Sequence, residues 1–251
     1  MFRVSNSGNM RVIMKALIVW GGWNGHEPKQ VGDIFHEVLE EENFEVEVEN
    51  DLNAFLDIER LKSLELIVPI WTMGTISKEQ CDAVTHAVAD GVGIAGCHGG
   101  MCDAFRESTN WQFMTGGNWV SHPGGDGIEY EINFRQGSSE IVKEMQDFKV
   151  ESEQYYLHVD PAVEVLATTR FQKVRWYHSS NGVVDMPVVW TKKWGAGRVF
   201  YNSLGHKASI FTQTGPKTLM KRGFLWAAEG KQAAREQGLN AESFENTAKM
   251  F

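Results

Sequence analysis

The sequence predicts an α/β protein, with a parallel, doubly wound sheet flanked by helices and extra strands in the second half. Two observations predict this fold class. Short apolar runs alternate with amphipathic segments over residues 15–97, and short connections join them. In addition, polar or glycine-rich clusters directly follow three of the apolar runs, at residues 23–26, 71–75 and 97–100. Such sheets bind ligands beyond the carboxyl ends of their strands, so we expect these clusters to form one site.

The first half reads β-α-β-α-β-α-β. Its four apolar or alternating runs predict strands at Lys15–Trp20, Phe44–Val48, Leu64–Ile70 and Gly91–Ala95. One helix is expected to begin at Pro28, which suits a first helical position. Another is expected after Ser77, because Ser77-x-x-Gln80 has the form of a capping box.

The second half is less regular, and Asn110–Gly127 is predicted to be loop with short elements. Ser139–Gln146 is predicted to form a short helix and Pro216–Ala228 a final amphipathic helix. Four further strands are expected, at Ile128–Phe134, Pro161–Thr169, Pro187–Thr191 and Arg198–Tyr201. Phe148–Tyr156 is an alternating run.

The 251 residues predict one domain over 14–230, with a flexible extension at 1–13 and a peripheral tail at 231–251. No apolar run approaches the roughly 20 residues that span a bilayer, so no membrane partner is expected. With 24 Lys and Arg against 33 Asp and Glu, the net charge is −9, which disfavours binding to nucleic acid. Three cysteines are too few for a disulfide framework and favour the cytoplasm. A homo-oligomer is a general expectation.

The segment Gly91–Met101 carries the strongest functional signal. A buried strand ends in a glycine-rich turn that leads into a predicted helix, and His98 stands between Gly96 and Gly100. Such a turn is strained and exposes its central side chain. His98 is therefore a candidate acid/base or metal ligand, although a turn histidine can also simply bond to nearby backbone. Cys97 is the rival nucleophile, but strand alternation is expected to turn it inward.

This turn resembles the nucleophile elbow of class I glutamine amidotransferases with histidine in place of cysteine. A histidine-centred elbow is typical of the ThuA-like family (trehalose-utilisation type), and the resemblance extends over residues 15–229. Further segments carry it: Gly21–His26, Gly116–Trp119 with His122-Pro123, Glu151–Tyr155 with its acidic pair partly altered, Gly195–Tyr201 and Leu204–His206.

The resemblance implies a flavodoxin-like, class I glutamine amidotransferase-like architecture and a role in carbohydrate catabolism. The implied substrate is a small-molecule carbohydrate, either a sugar or a trehalose-like keto-disaccharide. His98, Glu153 and His206 are the implied catalytic residues. His26 could complete a metal set with His98 and His206, since three nitrogens and a water suit a divalent metal such as zinc. No nucleotide cofactor is expected, because the sequence contains neither a phosphate loop nor a dinucleotide-binding turn.

Seven residues in the candidate loops are expected to bind substrate: Gly22, Trp23, His26, Trp71, Asn118, His122 and Tyr155. The aromatic rings among them could stack on the apolar face of a sugar. Packing roles are expected for Trp176, Trp190, Trp194 and Trp226. Two alternatives remain open: an amidotransferase-like cysteine hydrolase that uses Cys97, and a non-catalytic module that binds or senses sugar.

Overall fold

The structure is a computed structural model that describes residues 13–174 and 176–244. The predicted N-terminal extension falls outside these residues except for Ile13. The strands are β1 Met14–Gly22, β2 Phe44–Glu49, β3 Leu66–Thr72, β4 Gly93–Cys97, β5 Gly117–Ser121, β6 Ile128–Phe134, β7 Phe148–Ser152, β8 Tyr156–Val159, β9 Glu164–Phe171, β10 Val184–Trp194 and β11 Gly197–Asn202. The α-helices are α1 Pro28–Glu41, α2 Ile58–Ser63, α3 Lys78–Ala89, α4 Gly99–Cys102, α5 Thr109–Thr115 and α6 Thr214–Glu236.

Nine strands form one mixed sheet in the order β2-β1-β3-β4-β11-β10-β9-β6-β7. The first five strands in this order run parallel, and the remaining four are added antiparallel. Strands β5 and β8 pair separately in a two-stranded sheet. The predicted α/β class, the parallel first half and the extra strands of the second half are therefore confirmed.

Helices cover both faces of the sheet, as strand β1 illustrates. Its residues are buried without alternation, but they divide between two cores: Ala16 and Ile18 pack with α1 and α6, and Leu17 and Val19 pack with α3 and α5. A continuous apolar run is the pattern expected of a strand covered on both sides. The capping box at Ser77 is also present, with both reciprocal hydrogen bonds formed.

Several predictions for the second half are corrected. Ser139–Gln146 is not a helix, since only Glu140–Val142 forms a 3₁₀ turn. Arg222 of α6 donates hydrogen bonds to the carbonyls of Ile141 and Lys143, groups that a continuing helix would use internally. The run Phe148–Tyr156 is interrupted between β7 and β8 at residues 153–155.

The final helix also differs from the prediction, because α6 extends to Glu236 rather than ending at Ala228. A glycine at 230 weakens a helix on propensity alone. Here a Cβ on Gly230 would come within 2.7 Å of the Arg198 side chain, so the glycine permits close packing that compensates. Lys231 lies buried and donates to the carbonyls of Lys62 and Leu64.

Trp176 does not pack as expected, since it is 90% exposed on a 3₁₀ segment. Its position beside a connecting loop, outside the two apolar cores, explains the difference. None of the helices in the described ranges combines the length and the apolar composition that a bilayer crossing requires.

Candidate metal and substrate site

The candidate site lies beyond the carboxyl ends of the parallel strands. His26 follows β1, His98 follows β4, and His206 follows β11. Strands β1 and β4 both flank β3, and β4 also pairs with β11, so the three segments are neighbours at one sheet edge. Glu153 reaches the same place from the short segment between β7 and β8. Four residues far apart in sequence thus meet where doubly wound sheets place their ligands.

Glu153 Oε2 is the centre of this four-residue group. It lies 3.2 Å from His98 Nε2, 3.2 Å from His206 Nδ1 and 3.7 Å from His26 Nε2. One potential ligand atom from each residue lies within 4.8 Å of the others, and all four side chains are buried. Neighbouring ligands of a tetrahedral zinc ion are about 3.4 Å apart, because its bonds to nitrogen and oxygen measure about 2.1 Å. The distances from Glu153 Oε2 to the three nitrogens are close to this value, so the four side chains could hold a transition metal.

The elbow backbone explains how His98 reaches this position. The residue has φ 46° and ψ −136°, a conformation that residues other than glycine rarely adopt. Hydrogen bonds on both sides stabilise it: its N–H donates to the Asn202 carbonyl at 2.7 Å, and the Tyr201 hydroxyl donates to its carbonyl at 3.1 Å. Such strain persists only where the surrounding structure over-determines it, and it is common at functional sites.

Hydrogen bonds outside the group orient two of the imidazole rings. His98 Nδ1 lies 2.8 Å from the Ser203 carbonyl, which can only accept, so Nδ1 carries the hydrogen. In the neutral ring, Nε2 then presents a lone pair to Glu153. His26 Nδ1 lies 2.8 Å from Thr72 Oγ1, which leaves its Nε2 directed at the group. A lone pair of His98 that faces a carboxylate oxygen needs a cation between the two, either a proton or a metal ion.

His206 adds a third converging nitrogen. Its Nδ1 is buried and has no hydrogen-bond partner among the described residues, although it lies close to Glu153. Its Nε2 is 3.3 Å from Asp126 Oδ2, which favours the hydrogen on Nε2 and the lone pair on Nδ1.

The ionisation of the group follows from burial and from these contacts. Burial lowers the pKa of His98 to about 4, so this imidazole is neutral at pH 7. Burial raises the pKa of Glu153, but hydrogen bonds from the three histidines, when their facing nitrogens carry a proton, outweigh it and hold the pKa of this carboxyl well below its usual range. A metal ion would take the place of those protons. The pair therefore offers a neutral nitrogen and a full carboxylate, the ligand forms that a metal requires.

The structure corrects the expectation that the elbow exposes its central side chain. His98 is only 1% exposed, because its ring stacks on Tyr155 with centroids 3.8 Å apart and meets His26 edge-on. Cys97 is also buried, and burial strongly raises the pKa of its thiol. Neither elbow residue is open to solvent, but only His98 joins the four-residue group.

The other predicted site residues differ in whether they contact the four-residue group. Tyr155, Trp23 and His122 contact the four-residue group: Trp23 meets His26 edge-on at 4.7 Å, and His122 Nδ1 lies 3.4 Å from Glu153 Oε2. Asn118 lies in β5, four residues before His122, and its Oδ1 is buried.

Gly22 and Trp71 instead shape the neighbouring turns. A Cβ on Gly22 would lie 2.2 Å from the Thr72 carbonyl oxygen, and the residue has φ 75°. The Trp71 ring lies against Gly21 and Gly74. The contacts described for these two residues are with backbone and turn residues, not with the four-residue group.

The sequence reasoning missed three residues that support the group: Thr72, Ser203 and Asp126. Thr72 is the last residue of β3, and its position at a parallel strand end was an available signal. Ser203 contributes a main-chain carbonyl, which residue type does not reveal. Asp126 lies in a glycine-rich loop, where an acidic residue is unremarkable without coordinates.

One protein-family model matches most of the chain. The family model named ThuA, described as trehalose utilisation, matches residues 15–227. The chain belongs to the ThuA family. The resemblance inferred from the motifs is therefore confirmed.

Solved structures support the same fold. A ThuA-like protein from Parabacteroides merdae is 22% identical, with TM-score 0.69 over 88% of this chain and 91% of that one. Another from Bacteroides uniformis is 19% identical, with TM-score 0.67 over 85% and 91%. A beta-galactosidase from Bacillus circulans sp. alkalophilus is 13% identical, with TM-score 0.55 over 91% of this chain but 32% of that one. Among curated proteins, none matches the chain.

Proposed function

We propose that this ThuA-family protein is a metal-dependent enzyme of carbohydrate catabolism that acts on a trehalose-type disaccharide or its keto derivative. The observation that carries the proposal is the buried convergence of His26, His98, Glu153 and His206 at the carboxyl edge of the sheet. Three nitrogens and one carboxylate favour zinc or a similar divalent transition metal. The family description supports the substrate class.

A divalent metal held by these four residues would need a fifth coordination position to take a water or a sugar oxygen, and there it would acidify the water or polarise the sugar oxygen. The protein supplies the orientation. Ser203 and Thr72 hold the rings of His98 and His26 so that their free nitrogens face the group. Tyr155 covers His98 and excludes water from one side of it.

His122 and Trp23 are the residues we assign to direct contact with the sugar. The His122 side chain is 40% exposed, and its Nδ1 has no hydrogen-bond partner among the described residues, so it can exchange a proton with a bound ligand. Trp23 is 45% exposed beside His26 and offers a ring face to a sugar. Proton transfer next to a carbonyl is the step that suits this arrangement, and isomerisation, elimination and hydrolysis of a keto-sugar remain its possible outcomes.

The first test is the metal content of the purified protein, measured by plasma mass spectrometry. We expect close to one zinc or similar ion per chain in the wild type and about a tenth of that or less in His98→Ala, because a ligand is lost. Turnover of trehalose or keto-trehalose is expected to disappear with the metal. His206→Gln serves as a second ligand variant, and circular dichroism confirms that each variant is folded.

His86→Ala is the matched control, because His86 is exposed on α3 and outside the site. It should keep both metal and turnover. A wild-type protein that takes up no divalent metal even after incubation with zinc would contradict the metal-dependent proposal. Unchanged turnover in folded His98→Ala would exclude the assigned site.

The cysteine-hydrolase alternative makes a different prediction. Cys81, Cys97 and Cys102 are all buried and free, and burial raises the pKa of each thiol. We therefore expect iodoacetamide to leave all three unlabelled in the native protein and to label them in urea, as read by mass spectrometry. Labelling of native Cys97 together with loss of turnover would favour a cysteine mechanism instead.

We also propose that the protein acts in the cytoplasm on a small molecule, without nucleic acid or membrane partners. Its net charge of −9 and its free cysteines support this assignment.

A further inference from the structure

Strand β5 and the turn after it contain three buried polar atoms without a hydrogen-bond partner within the described part of the chain. They are Asn118 Oδ1, Trp119 Nε1 and His122 Nδ1. Buried polar groups in native proteins are almost always paired, and leaving one unpaired costs free energy. Among these atoms, Trp119 Nε1 can only donate a hydrogen bond, and this donor is available to a ligand.

This β5 segment borders the four-residue group. His122 Nδ1 lies 3.4 Å from Glu153 Oε2. The Trp119 ring lies 5.5 Å from the His122 ring and 6.3 Å from the Tyr155 ring, which itself stacks on His98. A ligand bound at the four-residue group would therefore extend toward the β5 segment.

The environment of Trp119 determines which part of its indole can serve a ligand. The Arg106 guanidinium lies over the ring, 4.4 Å from the centroid. Two hydrogen bonds to the buried Asp103 carboxylate, at 2.5 and 3.1 Å, hold that guanidinium in place. One ring face is thus occupied, and the His122 and Tyr155 rings lie beside the indole at interplanar angles of 52° and 62°. The group of Trp119 that is available to a ligand is its indole N–H. A sugar ring would stack more readily on Trp23, which is more exposed.

We infer that Trp119 is a specificity-determining hydrogen-bond donor to a sugar hydroxyl in a subsite beside the metal centre. A sugar hydroxyl accepts as well as donates hydrogen bonds, so it complements the indole N–H. The inference rests on the proposed function for its ligand, a trehalose-type disaccharide. In addition, strand β5 selects this ligand by the position of its hydroxyl groups.

The test is Trp119→Phe, which keeps an aromatic ring under Arg106 and removes the N–H. Trehalose is titrated into zinc-loaded protein and followed by calorimetry. We expect the affinity of Trp119→Phe to fall about tenfold, because the ligand hydroxyl loses a hydrogen bond in a buried site. Trp226→Phe is the matched control, since Trp226 also carries an arginine, Arg198, over its ring at 5.0 Å. It should bind trehalose like the wild type.

Several outcomes would overturn the inference. Wild-type affinity in Trp119→Phe, or a large loss only in Trp119→Ala, would mean that the ring stacks rather than donates. A wild-type protein that does not bind trehalose would refute the ligand class. If His98→Ala loses zinc yet binds trehalose normally and turnover is absent in every form, the enzyme proposal fails while the subsite stands. Normal zinc and turnover with unaffected Trp119→Phe would reject the subsite alone.

Discussion

Replacement of Glu153 by glutamine is expected to weaken zinc binding by on the order of 100-fold or more. Glu153 Oε2 is the one carboxylate oxygen in the four-residue group, and three imidazole nitrogens face it. Glutamine has nearly the same shape but no charge, so it removes the anionic ligand with little steric change. Loss of a supporting residue outside the ligand set already costs about 10- to 100-fold in metal affinity, and a direct ligand should cost at least as much.

The fold should survive this change, because the two apolar cores do not include Glu153. The Tyr130 hydroxyl donates to the main-chain carbonyl of residue 153, a bond that glutamine retains. Affinity is measured by competition with a chromophoric chelator, and folding by thermal unfolding.

Glu151→Gln is the control for this experiment, because Glu151 is exposed two residues earlier on β7. It removes the same charge from the protein without touching the group. Equal zinc affinity in Glu153→Gln and Glu151→Gln would show that the carboxylate is not a ligand.

The fold was predictable because burial on both faces leaves a clear pattern in the sequence. The runs at Lys15–Trp20 and Leu64–Ile70 could be assigned as central strands from apolar continuity alone, and both lie in the parallel half of the sheet. The antiparallel half was harder to predict. The segment Ser139–Gln146 has helical composition, but hydrogen bonds from Arg222 compete for its carbonyls, and this competition depends on tertiary contacts.

The candidate site was predictable to a similar degree. The positions of predicted strand ends indicated His26 and His98. The motif resemblance indicated His206 and Glu153. The structure brings these four residues together. The orientation of their rings was not predictable, because Ser203 acts through its backbone carbonyl. The sequence also suggested an exposed His98, whereas Tyr155 covers it. Tyr155 lies in the connection from β7, at the sheet edge, to β8, in the two-stranded sheet, and the path of that connection depends on tertiary structure.

The adjacent glycines of the elbow should respond to alanine in opposite ways. A Cβ on Gly99 would lie 2.7 Å from two atoms of the His26 ring and 2.9 Å from Thr72 Cγ2. These are side-chain atoms that can move. We therefore expect Gly99→Ala to fold normally, to displace His26 from its bond with Thr72, and to weaken zinc binding about 10- to 100-fold, as other losses of ligand orientation do.

The new methyl group of Gly100→Ala would contact the main chain instead of side-chain atoms. Its Cβ would lie 2.9 Å from Ile70 Cα, in the middle of the sheet, where strand β3 cannot shift without disturbing β1 and β4. Overpacking of this kind costs about 1–3 kcal/mol of the free energy of unfolding. Zinc affinity per folded molecule should change less than in Gly99→Ala. Urea unfolding and chelator competition on both variants measure the two effects. The reverse pattern would mean that His26 is not a ligand and that the elbow serves only to pack helix α4 on the sheet.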